Sequence, residues 1–297
     1  MKLKAIHAAP ALLLIIFLLS FGLSLVPDSV TGMDSDPYIS ASMIQLLLLA
    51  LPAVIFCRLR GGGYMKKLRL RMFSTNHAAF MLSALLFMFF GSSGISYLMH
   101  TLFPEAAAPV SYEDYGGFTG GLYLVLTMAV IPAVTEEFLF RGVILAEYET
   151  KGVPAAVFMS SITFAMLHFN FAGLPVYMFC GLVLAIVLYT TRSLFAAMLV
   201  HFLNNTATIF FGDMIYKVVS RQGIVLFCFV LVMLILLSAV FMFGECQRIY
   251  ARYGVLNADS TYAGKRKRGA GTAGLFQSIF TPLFTALAVL YIIIAAI

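Results

Sequence analysis

Residues 121–146 read GLYLVLTMAVIPAVTEEFLFRGVILA. The stretch is long and apolar enough to cross a bilayer, which takes about 17–25 residues, yet it carries Glu136, Glu137 and Arg141 in its second half. Insertion scales assign about 2.5–3.5 kcal/mol to each ionised side chain near a helix centre. Three such groups cost on the order of 8–10 kcal/mol, roughly what a dozen Leu, Ile, Phe or Val neighbours return. The segment is stable only if those groups face the protein interior and find partners. Glu137 and Arg141 are four apart, share one helix face and are placed to pair. Glu136 sits about 100° around the helix, with no partner inside the motif. One carboxylate therefore reads as structural and the other as free for chemistry.

The setting is a membrane throughout. Of 297 residues, 62% are hydrophobic and 11% charged, and the mean hydropathy is +0.98. A soluble domain of this length needs more polar surface. Apolar runs fall near 9–26, 39–57, 78–99, 119–146, 153–171, 172–190, 194–211, 223–243 and 275–297. Each must be a helix, because lipid offers no partner for an unpaired backbone amide. The expectation is an all-α polytopic protein of eight or nine transmembrane helices around an intramembrane polar site. Helices over 1–118 flank a core at 119–211, and 212–297 holds the last helices with a basic, glycine-rich loop at 244–274.

With the amino terminus cytoplasmic, the inside segments hold 16 of the 19 Lys and Arg residues, and the outside loops hold only Lys217 and Arg221. The stretches 27–38 and 104–117, on the outside, are acidic. This is the positive-inside pattern. The net charge of +6 thus reads as topology and attraction to anionic lipid rather than to nucleic acid. Integral multi-pass placement follows, in the plasma membrane if the cell is bacterial. Lys2 and Lys4 precede the first run, but no small-x-small cleavage site follows, so that run reads as an uncleaved anchor. Cys57, Cys180, Cys228 and Cys246 are scattered and form neither a metal signature nor a disulfide framework.

Partners for Glu136 must come from other spans. Strongly polar candidates stand in FAMLH (164–168) and HFLNN (201–205). His168 lies one turn from Phe164, which reads as core, and Asn205 one turn from His201, with Asn204 beside it. Of the five histidines, His7, His77 and His100 fall at segment edges, leaving His168 and His201 within helices. By rise per residue, Glu136 lies about 5 Å from the middle of its span and His168 about 9 Å from the middle of its own. Convergence therefore requires tilt, a break or shifted ends, and Pro132, Pro154 and Pro175 are available to bend the chain.

A carboxylate in a low-dielectric pocket is poised as a general base toward water. One histidine beside it can orient that water, while a second histidine with an asparagine can donate to the oxyanion of a tetrahedral intermediate. The inventory suits peptide hydrolysis without a covalent enzyme intermediate. No Ser or Cys has an activating arrangement.

EEFLFR (136–141), FAMLH (164–168) and HFLNN (201–205) resemble, in order, the EExxxR, FxxxH and HxxxN motifs of the CPBP intramembrane proteases. This is the type II CAAX prenyl endopeptidase and bacteriocin-processing group, also called the Abi family. TRSLFAAMLVHFLNN (191–205) resembles its lead-in to the last motif. The resemblance covers roughly 119–211. It implies a site sunk below the membrane surface, with Glu136 as catalytic base, His168 helping to activate water, His201 and Asn205 at the oxyanion, and Glu137 and Arg141 as support. It also implies a membrane-associated peptide or protein substrate. Eukaryotic members remove the C-terminal tripeptide of prenylated CAAX proteins, and some bacterial relatives are linked to bacteriocin processing or immunity.

Zinc is an open alternative, with Glu136, His168 and His201 as three ligands of an open site. There is no HExxH helix, and Asn205 is a poor zinc ligand but a good oxyanion donor, which favours water activation without metal. Two other classes compete. A proton-coupled transporter would use Glu136 and the histidines as a relay, and its transport would be lost in Glu136→Gln proteoliposomes. A non-catalytic immunity or scaffold protein would tolerate Glu136→Ala.

Overall fold

The computed structural model describes residues 5–26, 36–104, 116–258 and 271–295, and all its regular elements are helices. They are α1 (Ala5–Ser24), α2 (Pro37–Arg60), α3 (Thr75–Leu102), α4 (Gly117–Lys151), α5 (Val153–Met166), α6 (Leu174–Thr191), α7 (Leu194–Gln222), α8 (Ile224–Ala258), α9 (Gly271–Ile279) and α10 (Pro282–Ala295). The chain is a multi-pass integral membrane protein. Lys2, Lys4, Lys265, Arg266, Lys267, Arg268, the side chains of Lys217 and Arg221, and most of the two acidic stretches lie outside the described residues.

Among the described residues, six helices are long and apolar enough to cross a membrane, or seven if α9 and α10 count as one span bent by 58°. The expected eight or nine spans are therefore not confirmed among these residues. The fifth apolar run does not continue to 171. Helix α5 stops at Met166 after 14 residues, about 21 Å of rise, short of the roughly 30 Å hydrocarbon core. The apolar part of α1, His7–Leu23, is also below spanning length, and Pro282 opens a new helix inside the last run. Within the predicted loop at 244–274, α8 runs on as helix to Ala258 and α9 begins at Gly271, while 259–270 lie outside the described residues.

Helix α3 is the central post, packed against α6, α7 and α8, while α4 packs against α2, α5 and α7. Helix α5 lies in an antiparallel hairpin with α6. Gly181 allows the close crossing, since a Cβ there would come within 2.9 Å of the Ser161 Cα, and small residues at crossings are how membrane helices gain packing. The segment between α2 and α3 is tied to the end of α4 by Arg60–Glu147 and Arg69–Glu149 ion pairs. The Leu194 amide donates to the Arg69 carbonyl at 3.0 Å. Helix ends carrying the basic residues are thereby gathered at one end of the bundle. The four cysteines are free thiols.

Candidate active site

Helix α4 widens into π turns over Leu126–Val130 and again over Phe138–Ile144. The first precedes Pro132, which lacks an N–H and crowds the carbonyl four residues back, Met128. Helix α2 does the same over Gln45–Ala50, ahead of Pro52. The Met128 carbonyl, to which Pro132 cannot donate, lies 3.5 Å from Nδ2 of Asn205. That is the upper limit of a hydrogen bond, so the Asn205 carboxamide is held loosely. Such wide turns recur at functional sites because they turn side chains off the regular helical faces.

Glu137 is the buried hub. Its Oε1 accepts from the Arg141 guanidinium at 2.9 Å and from Nδ1 of His201 at 2.9 Å. Both Glu137 and Arg141 are essentially inaccessible, at 0% and 1%. Arg141 also donates to the Gly181 carbonyl at 3.1 Å and stacks its guanidinium 4.4 Å from the centre of the Phe164 ring. A buried ion pair is stable only when its remaining donors and acceptors are met. Here the carbonyl and the aromatic face supply most of that, and Glu137 Oε2 and Arg141 Nε are left without hydrogen-bond partners. The π turn is fastened from α5 by Ser160, whose hydroxyl donates to the Phe140 carbonyl at 3.0 Å.

Glu136, 6% exposed, faces a different neighbour. Its Oε1 accepts from Nε2 of Gln45 at 2.9 Å, and the Thr135 hydroxyl donates to Gln45 Oε1 at 2.6 Å, fixing the amide orientation. Glu136 Oε2 is 3.8 Å from Nε2 of His201. The two ring nitrogens of His201 thus look at two adjacent carboxylates. Nδ1 is committed to Glu137, and Nε2 faces Glu136 across a gap too wide for a hydrogen bond.

His168 is not inside a helix. It sits on the turn that ends α5, and the next residue, Phe169, adopts φ 47, a left-handed backbone rare for an aromatic residue. Phe169 is braced by Phe17 of α1, with ring centres 4.9 Å apart. The His168 ring stacks on Tyr177 of α6 at 3.6 Å, and its Nδ1 is 3.0 Å from the Phe164 carbonyl. A carbonyl can only accept, so Nδ1 carries the proton and Nε2 of the neutral ring is an acceptor. Phe164, expected to be plain core, touches Arg141 and lies edge-on to His168 at 5.0 Å and to His201 at 5.9 Å.

The helix break after Met166 leaves His168 on a turn beside Phe164 rather than one turn further along a helix. Glu136, Glu137, Arg141, His168 and His201 meet around Phe164, with Asn205 one turn beyond His201 against α4. Gln45 was missed: it is a lone amide in the second apolar run, and its position seven residues before Pro52 was the available signal. Asn204, 6% exposed, also points inward, and its Oδ1 has no partner.

Zinc would need Glu136, His168 and His201 to converge as ligands. Among the described residues no group of three His, Cys, Asp or Glu side chains is placed to hold a metal ion.

Residues 118–207 match the protein-family model described as Type II CAAX prenyl endopeptidase Rce1-like. Over this segment the chain is similar to that family. The match supports, at the level of the family, a CAAX-type intramembrane protease. The matched segment holds Glu136, Glu137, Arg141, Phe164, His168, His201 and Asn205, but Gln45 and Phe17 lie outside it. No curated protein and no solved structure matches the chain.

Proposed function

We propose that the protein is an intramembrane endopeptidase that hydrolyses a peptide bond of a membrane-associated peptide or protein with water activated by Glu136. The observation that carries this reading is the division of labour between adjacent carboxylates. Glu137 is occupied by Arg141 and His201, whereas Glu136 has one oxygen held by Gln45 and the other turned toward the His201 gap.

Glu136 Oε2 takes a proton from water, and the hydroxide oxygen attacks the scissile carbonyl carbon. Nε2 of His168 accepts the second water hydrogen and holds the oxygen in line. The carbonyl π bond becomes an oxyanion, which Asn205 Nδ2 and His201 Nε2 meet as donors. Because His201 gives its Nδ1 proton to Glu137, donation from Nε2 requires the doubly protonated ring. Collapse of the intermediate breaks the C–N bond, and Glu136 returns its proton to the leaving amine. No metal enters this sequence.

The test is a purified, full-length preparation offered a farnesylated CAAX peptide, its unprenylated counterpart and a membrane-peptide extract. Wild type should cut at least one of them, and Glu136→Gln should cut none. Equal cleavage by Glu136→Gln would overturn the assignment. Cleavage of the farnesylated peptide alone would make prenyl recognition part of the activity, and cleavage of extract peptides alone would point to bacteriocin-like or other peptide processing.

A further inference from the structure

Away from the active site, an open cavity of about 370 Å³ lies where the ends of α3, α6 and α8 meet. Arg71, Arg192 and Arg252 line it, together with Asn76, His77 and Tyr253. Three guanidiniums from three separate stretches of chain repel one another. Among the described residues none of the three has a carboxylate partner. Glu245, on the same helix as Arg252, is taken by Arg248, which also donates to the Asn76 carbonyl at the cavity rim.

The cluster is built rather than merely exposed. Arg192 follows the last residue of α6 with φ 55 and ψ 26, a left-handed conformation usually given to glycine at a helix end. A charged side chain kept in that backbone points to a use for the side chain. Its carbonyl accepts from Nε of Arg71 at 2.6 Å, and its guanidinium stacks 3.8 Å from the centre of the Tyr253 ring. Tyr253 is itself anchored: its hydroxyl donates to the Thr190 carbonyl at 3.1 Å and lies 3.3 Å from Nε2 of His77. His77 is 8% exposed, and its Nδ1 has no hydrogen-bond partner. The positive-inside rule accounts for basic residues on this side of the membrane, but not for three guanidiniums around one cavity, of which Arg192 is stacked on Tyr253 and tied to Arg71.

We propose that this cavity binds a phosphate group, the anion whose oxygens match several guanidinium forks at once. Its position at the ends of membrane helices suits the headgroup of an anionic phospholipid, and a soluble phosphate offers the same chemistry. The site is separate from the catalytic cluster and does not depend on the protease reading.

The experiment uses the full chain purified in neutral detergent and reads its unfolding temperature during titration with phosphatidylglycerol micelles, phosphatidylcholine micelles or inorganic phosphate. Wild type should show a saturable rise with phosphatidylglycerol and none with phosphatidylcholine. A matching rise with inorganic phosphate would identify a soluble phosphate as sufficient, and a rise with the lipid alone would identify the headgroup in its bilayer setting. The triple variant Arg71→Gln, Arg192→Gln, Arg252→Gln should need about tenfold more ligand or more for the same rise. A control with Arg58→Gln, Lys66→Gln and Lys67→Gln removes equal charge from the same end and should respond as wild type. Arg192→Gly should be at least as stable as wild type without ligand, because it relaxes the left-handed residue, yet should respond less. The proposal is overturned if wild type responds to neither phosphate source or equally to phosphatidylcholine. It is also overturned if Arg192→Gly and the triple variant respond as wild type, or if the control loses as much as the triple variant.

Discussion

Nε2 of His201 stands 3.8 Å from Oε2 of Glu136, while Nδ1 of the same ring is bonded to Glu137 at 2.9 Å. The ring is pinned on one side and open on the other, so the gap is a place for a third group to meet both an acid and an imidazole. Glu136→Gln keeps the shape and removes the base. Cleavage should fall by at least about 10²-fold, with the protein still inserted and its unfolding temperature little changed. His168→Ala should do the same. Assays on matched amounts of purified protein decide it, and retained turnover in either variant would count against the mechanism.

Gln45 holds the second oxygen of Glu136 from outside the matched segment 118–207. Gln45→Leu removes that donor and leaves a buried carboxylate oxygen unmatched, a loss of about 1–3 kcal/mol where the acceptor is charged. The activity should drop roughly tenfold or more with the same substrate, and Gln45→Asn, one methylene shorter, should recover little. An unaltered rate in Gln45→Leu would show that the contact plays no part in positioning Glu136.

Asn205 reaches the Met128 carbonyl only at 3.5 Å, so little is lost when its amide swings toward a developing oxyanion. Asn205→Ala should lower kcat by about 10²–10³-fold with KM nearly unchanged. A change confined to KM would reassign Asn205 to substrate binding.

Glu137 and Arg141 are expected to fail differently. Removing one member of a buried pair leaves an uncompensated charge and costs about 3–5 kcal/mol. Glu137→Gln and Arg141→Ala should therefore unfold earlier and accumulate less. Gly181→Ala should act in the same direction by pushing its Cβ against the Ser161 backbone at 2.9 Å, at about 1–3 kcal/mol. Thermal unfolding in detergent measures all three, and wild-type stability in the Arg141 variant would refute the supporting role.

Metal dependence has its own measurement. A chelator-treated preparation shown to be metal-free should keep full activity. Loss of activity that zinc restores would replace the water-activation scheme with a metal-assisted one.

The motif residues were legible in the sequence because ionisable groups stand out against an apolar background and helical spacing says which of them share a face. Where the backbone stops was not. Hydropathy runs on through FNFAGLP (169–175), although Phe169 reverses the chain and Asn170 caps the next turn by accepting from the Gly173 amide at 2.8 Å. That is why the sequence pattern puts His168 inside a helix, whereas the structure puts it on the turn after α5. Residues 244–258 show the opposite: their polar sequence reads as a loop, while α8 continues as helix beyond the apolar stretch. Gln45 was overlooked since one amide among leucines costs too little to announce itself. Phe164 was underrated because an aromatic ring in a membrane helix looks the same whether it packs on leucine or on a guanidinium.

Phe17 of α1 braces Phe169 beside His168, and Gln45 of α2 steadies Glu136, though neither helix belongs to the matched segment. The catalytic stretch is consequently not transplantable. Residues 117–212 produced alone would carry every motif and still lack two of the props that aim them. Such a fragment should be inactive even when it inserts, and co-expression of residues 1–104 as a separate chain should restore activity. A fragment that cleaves unaided would show that the first two helices are passengers.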